Sequence, residues 1–356
     1  MAVFARHLAG AILQRRGIAA VQSGRAAGLG AGGYGVDLFL TLSSYLITEL
    51  LLRERQTLGM LDVRRFYLRR ILRIWPLYFF FLTVLLLLSY SQGLFVENWF
   101  PGHWFILYFV LLGNFVVCFV GPQAVLIAPL WSISVEEQFY LVWPLVVRNC
   151  SRRTLVWAAV AMLGIATGAR VVAWFGGFAV LSIWENTLVR LDPIAVGVLI
   201  AVLPAGAISS FGRRAQLALV VAGVATWWLV ASYCNPLYPP TPTARILLGY
   251  PAIAFASGGF LVAALSASRT GYRSALSRVL IYLGRISYGL YVYHGISIAF
   301  AGVVVAHLGL GPNGWLLYSV ISAGLTLIMA AASYRWIETP FLRLKSKYTR
   351  VASRPI

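Results

Sequence analysis

Residues 74–91 read IWPLYFFFLTVLLLLSYS, eighteen positions without one charged side chain. At about 1.5 Å of rise per residue such a stretch extends about 27 Å as a helix. The hydrocarbon core of a bilayer is about 30 Å thick and takes roughly 17–25 apolar residues. The preceding segment, 53–73 (RERQTLGMLDVRRFYLRRILR), reads as a basic loop and holds seven arginines. An uncharged stretch joined to an arginine-rich one is the pattern of a helix entering a membrane from the cytoplasmic side.

Working outward, similar stretches recur at roughly 33–52, 104–121, 124–147, 154–174, 186–203, 215–233, 246–265, 286–306 and 315–333. Residues 1–13 (MAVFARHLAGAIL) are apolar but too short to span. They lack the charged leader and small-residue cleavage site of a signal peptide. They read as the second half of a first membrane helix that begins before Met1, which brings the candidates to eleven. Composition agrees: 11% of residues are charged, against about 25% in soluble domains. The expected fold is all-α, a polytopic transmembrane helical bundle of about ten membrane-spanning helices. Residues 1–345 are expected to form one stand-alone membrane domain and 346–356 a short cytoplasmic basic tail. No internal repeat and no hydrophilic stretch large enough for a fused domain is visible.

The net charge is +19. Such a balance raises the question of nucleic-acid binding, but the basic residues sit in short segments between apolar stretches. That is the positive-inside distribution, so no nucleic-acid partner is expected. By the same rule segment 53–73, Arg213 with Arg214, the loop Arg269 to Arg278 and the tail from Arg343 face the cytoplasm. Arg148, Arg152 and Arg153 belong there too, yet three candidate spans separate them from 53–73. An odd number of crossings cannot return to the same side, so one candidate fails to cross. It is the segment around Trp131 to Tyr140, which carries two glutamates, or the short stretch before it. Ten crossings with both termini cytoplasmic follow. Cys118, Cys150 and Cys234 show no metal-ligand or disulfide spacing, and no metal is expected.

A charge in the middle of a membrane helix costs at least ~2.5–3.5 kcal/mol. Nevertheless Asp37, Glu49, Glu136, Glu137, Glu185 and Asp192 lie in or beside candidate spans, with Arg170, Arg190, His7 and His294. Two readings compete: a polar cavity lined by several helices, or scattered structural ion pairs. Arg190 and Asp192 are two apart, so on a helix they do not face each other and need partners elsewhere.

Six strings stand in a telling order. They are Gly35–Thr48 (GVDLFLTLSSYLIT), Arg64–Pro76 (RRFYLRRILRIWP), Leu130–Pro144 (LWSISVEEQFYLVWP), Arg190–Gly197 (RLDPIAVG), Ile286–His294 (ISYGLYVYH) and Tyr334–Leu344 (YRWIETPFLRL). Together they resemble acyltransferase family 3, membrane proteins that move acyl groups, often acetyl, onto hydroxyls of carbohydrates and other acceptors. The resemblance covers nearly the whole chain. It implies an acyl-coenzyme A donor, acetyl-coenzyme A foremost, a glycan or glycosylated acceptor, and the bacterial cytoplasmic membrane. It also implies a catalytic histidine on the first helix, eleven residues after an arginine. Ala2–His7 (AVFARH) is similar to the end of that helix, so His7 matches the histidine and the arginine would precede Met1. Arg6, adjacent to His7 on another helix face, does not replace it.

Acyl transfer to a hydroxyl needs a base for the proton and a donor group for the oxyanion. His7 is the first base candidate, since imidazole titrates near neutrality; the plainer alternative is a polar residue at a helix end. Glu136, Glu137 and Asp37 join it as catalytic candidates. A carboxylate there orients a histidine, binds a hydroxyl or neutralises an arginine. Glu136 and Glu137 are consecutive, so at most one faces a cavity. Asp37 either caps the second helix or enters the site. Arg69, Arg70 and Arg73 are candidates for the donor phosphates: Arg69 and Arg73 share a helix face, and a guanidinium matches phosphate oxygens bidentately. Orientation alone also explains them, as it explains Arg64 and Arg65. Arg190, Asp192, Tyr288 and His294 are candidates for the acceptor side, with His294 a second base, an acceptor ligand or a hydrogen-bonded structural histidine. His103 and His307 fall in expected loops and receive no role. Ser43 and Ser44 read as helix-packing residues, and no GxSxG elbow exists. Two other functions stay open: a transporter or flippase, against which no inverted repeat is seen, and an inactive family member serving as an assembly partner. The sequence leaves the oligomeric state undefined.

Overall fold

The computed structural model describes residues 1–15, 31–92, 102–120, 126–127, 129–204, 206–208, 211–233, 243–267, 275–349 and 351. Cys234, the start of the loop Arg269–Arg278 and part of the tail 346–356 lie outside them, as does the side chain of His103. In chain order the helices are α1 (Ala2–Arg15), α2 (Gly35–Leu58), α3 (Val63–Gln92), α4 (Ile106–Phe109), α5 (Gly113–Val120), α6 (Leu130–Asn149) and α7 (Arg152–Phe175). Then come α8 (Val180–Glu185), α9 (Leu191–Ala201), α10 (Arg213–Tyr233), α11 (Thr243–Ala267), α12 (Ala275–Arg285), α13 (Ser287–His307) and α14 (Trp315–Ser333). A π-helical turn (Tyr334–Glu338) leads into α15 (Thr339–Ser346). Among the described residues there is no strand, and the architecture is the expected all-α polytopic one.

Seven spans among the described residues are long and apolar enough to cross a bilayer. They are Ala31–Leu58, Val63–Leu88, Arg152–Phe175, Arg213–Tyr233, Arg245–Ala267, Ser287–His307 and Trp315–Ser346. Among the described residues, the other four candidate stretches hold helices that are shorter, broken or more polar. The break falls in 104–121, the short stretch before the glutamate-bearing segment. There Leu111 takes a left-handed φ of 61°, a conformation branched residues rarely adopt, and Leu112 N donates to Leu107 O at 2.7 Å. Gly113 makes the turn possible, because a Cβ there would lie 2.3 Å from the Tyr108 ring. By contrast α6 is continuous from Leu130 to Asn149. The expected basic loop is also helical: α3 starts at Val63, so Arg64–Arg73 form its first turns. Gly59 at φ 71° ends α2 in a left-handed cap, as glycine does after a helix. His307, expected in a loop, is the exposed last residue of α13.

The chain divides into two compact units. One comprises Met1–Ser23, Arg64–Ser134 and Tyr272–Thr349. Its core includes Ile298, Ala301, Val305 and Tyr318, with Phe4, Leu8, Ala11 and Ile12 of α1 packed on them. A Cβ on Gly289 would lie 3.1 Å from the Ala330 Cα, so α13 and α14 pack backbone to backbone at that point. The other unit comprises Gly24–Val63, Val135–Gly271 and Arg350–Ile356. Here α9 lies against α2, α7 and α11.

Lipid tails are as apolar as leucine, so membrane helices associate through close packing and polar contacts rather than through hydrophobicity. Gly197, in the string RLDPIAVG, shows the consequence. A Cβ on it would fall 2.0 Å from Ser44 Oγ and 2.2 Å from Thr41 O. Thus Ser44 is a packing residue, with its hydroxyl on Thr41 O at 3.1 Å. Gly197→Val is expected to lower the melting temperature in detergent by several degrees or abolish folding, because the obstacle includes backbone; overpacking typically costs ~1–3 kcal/mol or more. Thermal scanning of the purified variant checks this.

Candidate functional site

In the first unit the two histidines in apolar helices meet. His7 Nδ1 lies 2.8 Å from His294 Nε2. The rings stack at 5.0 Å between centroids and 13° between planes. His294 Nδ1 lies 2.5 Å from the Tyr291 carbonyl oxygen. A carbonyl only accepts, so that nitrogen carries a proton. In the neutral pair His294 Nε2 is then an acceptor, and His7 Nδ1–H donates to it. The remaining nitrogen, His7 Nε2, holds an unshared electron pair. Tyr291 is itself fixed, its hydroxyl 2.7 Å from Ser132 Oγ. Tyr288 faces another way and donates to the Ile74 carbonyl at 3.0 Å.

The same unit gathers cations from both ends of the sequence. Arg69 is 4% exposed and donates to the Tyr348 carbonyl at 3.0 Å. Lys345, in the last turn of α15, lies within electrostatic reach of Arg70, Arg73 and Arg69. Arg73 is exposed, Arg70 partly so. The Arg70 guanidinium stands 5.6 Å from the Phe66 ring centre, and Arg73 acts on Glu338 of the π-helical turn. The residues present therefore suit a polyanion: guanidinium and ammonium groups bind phosphate in different ways, as fork and point charge.

In the second unit Arg190 and Asp192 form their ion pairs with other helices, although Arg190 also acts on Asp192 at longer range. Arg190 pairs with Asp37 of α2 at 2.6 Å, and Asp192 pairs with Arg170 of α7. All four side chains are at most 1% exposed. The Arg190 guanidinium carbon lies 4.2 Å from the Trp184 ring centre, and that of Arg170 lies 5.3 Å from that of Tyr250. Asp37 lies in the first turn of α2, and its carboxylate pairs with Arg190. Nearby in sequence to Asp37, Ser43 donates to Glu136 Oε1, and Tyr140 donates to the same oxygen. The two hydroxyls are 2.5 Å apart. One turn on, Trp143 Nε1 donates to Thr48 Oγ1 at 2.8 Å. Glu136 is thus buried and bonded, whereas Glu137 is part-exposed.

Sequence reasoning paired Arg190 and Asp192 with other helices and singled out both histidines, but not their contact. It read Ser43 as a packing residue and passed over Tyr140, Tyr291, Glu338 and Lys345. Only Glu338 carried a signal, as an acidic residue within YRWIETP. Among the described residues no group of three or more His, Cys, Asp or Glu side chains is placed to hold a metal ion.

Comparison with known proteins adds the following. The family model described as an acyltransferase domain matches residues 1–335. The O-acetyltransferase OatA of Staphylococcus aureus is 26% identical over 340 residues, covering 88% of this chain and 53% of that protein. The peptidoglycan O-acetyltransferase OatA of Listeria monocytogenes is 26% identical over 341 residues, covering 87% of this chain and 51% of its own. The chain thus spans about half the length of the curated relatives it matches. No solved structure matches it significantly. With the family match running through nearly all of its helices, the chain belongs to acyltransferase family 3, the family its six strings resemble.

Proposed function

We propose that the protein is a membrane O-acetyltransferase that moves an acetyl group from acetyl-coenzyme A to a hydroxyl of a cell-envelope glycan. The observation that carries this reading is the histidine pair. His7 Nε2 is the nitrogen left with a free electron pair, because the Tyr291 carbonyl fixes the tautomer of His294, and His294 that of His7. In the reaction His7 Nε2 takes the acceptor's hydroxyl proton as the oxygen attacks the thioester carbon. The carbon–sulfur bond then breaks, the ester forms, and the thiolate leaves with the proton as coenzyme A thiol. His294 shares the positive charge that develops on His7.

Family membership and the O-acetyltransferase relatives, one of them named for peptidoglycan, support the acetyl group and the envelope glycan. The donor assignment rests on the cation cluster of Arg69, Arg70, Arg73 and Lys345. We place that cluster, both termini and the tail 346–356 on the cytoplasmic face of the bacterial inner membrane, with residues 1–345 acting as the acyltransferase domain. Glu136, Asp37, Arg190 and Asp192 we assign to maintaining the second unit, through bonds that already engage their charges. Proteoliposomes of the chain should transfer labelled acetyl from acetyl-coenzyme A to glycan fragments as alkali-labile ester. No labelled ester above empty liposomes, with any envelope glycan supplied, would overturn the reading.

A further inference from the structure

The hydroxyl-activating histidines leave the C-terminal helix unused, yet the fold brings that helix to the basic end of α3. Lys345 of α15 comes within electrostatic reach of Arg70, Arg73 and Arg69, and no carboxylate acts on it among the described residues. Arg69 holds this arrangement. Its guanidinium donates to Tyr348 O at 3.0 Å, and Tyr348 N in turn donates to Lys345 O at 3.0 Å. The Thr349 hydroxyl closes on the same carbonyl at 3.2 Å. Membrane orientation needs only that positive charges lie on one side. Arg73 has Glu338 beside it, but orientation gives no reason to bring Lys345 to these arginines, which repel it. A bound polyanion does.

We propose that Lys345 is a ligand for the phosphates of the donor nucleotide, and that α15 with the Arg69–Tyr348 tie forms one wall of the donor site. The inference rests on the acyl-coenzyme A reading above and divides its arginines by task. Arg70 and Arg73 join Lys345 as phosphate ligands. Arg69 is a positioning residue that fixes the chain just after Lys345. The ligand chemistry is a diphosphate or phosphomonoester, which an anionic lipid headgroup also carries.

The test uses the whole chain in nanodiscs of phosphatidylcholine, with coenzyme A titrated by calorimetry. Wild type is expected to bind, and Lys345→Gln to bind about tenfold more weakly, one charge-assisted contact being lost. Lys345→Arg should restore most of the affinity, and Lys347→Gln, an exposed neighbour, should match wild type. In the transfer assay Lys345→Gln should raise KM for acetyl-coenzyme A with kcat little changed. Wild-type affinity in Lys345→Gln overturns the role of Lys345 and leaves the acyl-coenzyme A reading standing. An equal loss in Lys347→Gln points to diffuse tail charge and also overturns it. Absence of coenzyme A binding by wild type overturns both. If phosphatidylglycerol in the nanodisc abolishes coenzyme A binding, and does so only while Lys345 is present, the occupant is a lipid headgroup and the donor assignment fails.

Discussion

His7→Ala is expected to reduce acetyl transfer by ~10²–10⁴-fold, the range for loss of a positioned general base. The fall should appear in kcat, because an alcohol must lose its proton to become the ester oxygen whatever holds it. KM for acetyl-coenzyme A should stay near its original value, since the cation cluster is untouched. The protein should remain folded: α1 packs through Phe4, Leu8, Ala11 and Ile12, none of which changes. His294 contributes differently. Among the described residues it bonds the His7 ring and the Tyr291 carbonyl, and so sets which nitrogen of His7 is free. His294→Ala should therefore cost less than His7→Ala, and His294→Gln, which keeps an acceptor for His7 Nδ1–H, should recover part of the loss. Steady-state assays of the three variants check this order.

The second large effect is on stability. Asp37→Ala is expected to destabilise the protein by about 3–5 kcal/mol, because it strands the Arg190 guanidinium in a sealed interior. Asp37 and Arg190 are 1% and 0% exposed, so water cannot replace the lost carboxylate. The neighbouring Arg170–Asp192 pair is equally sealed, and the same cost applies there. The pair as a whole is a weaker source of stability than either half suggests. Removing both charges together, as Asp37→Leu with Arg190→Met, should restore much of the melting temperature that Asp37→Ala loses. Thermal unfolding in detergent of the single and double variants measures this directly. If Asp37→Ala melts with wild type, the pair has no structural role and Asp37 returns as a catalytic candidate.

The helices were legible because apolar length is a local property of the chain. Thus 315–333 was read with the boundaries that α14 has, and 286–306 within a residue of α13. The break in 104–121 was not, since it depends on a left-handed Leu111 and on Tyr108 folding over Gly113. The arginine-rich segment was read as a loop because charge masks a helix that apolar periodicity does not announce. Among the site residues, local geometry settled two points. Residues two apart cannot pair on a helix, and consecutive glutamates diverge, which separated Arg190 from Asp192 and Glu136 from Glu137. Contacts across the chain were beyond reach. Nothing in AVFARH or ISYGLYVYH states that His7 and His294 stack, and Lys345 looks like any other charge of a basic tail. Ser43 was assigned to packing because a small polar residue between helices usually packs; the burial of a carboxylate beside it gives its hydroxyl a partner.

The central claim is that His294 acts through His7 on the acceptor's proton. A double-mutant cycle of acetyl transfer, with His7→Ala, His294→Ala and both together in proteoliposomes, tests it most directly. The account predicts that the double variant is no slower than His7→Ala alone, because His294 has nothing left to hold. Effects that multiply, or a His7→Ala protein that transfers acetyl at the wild-type rate, would contradict it.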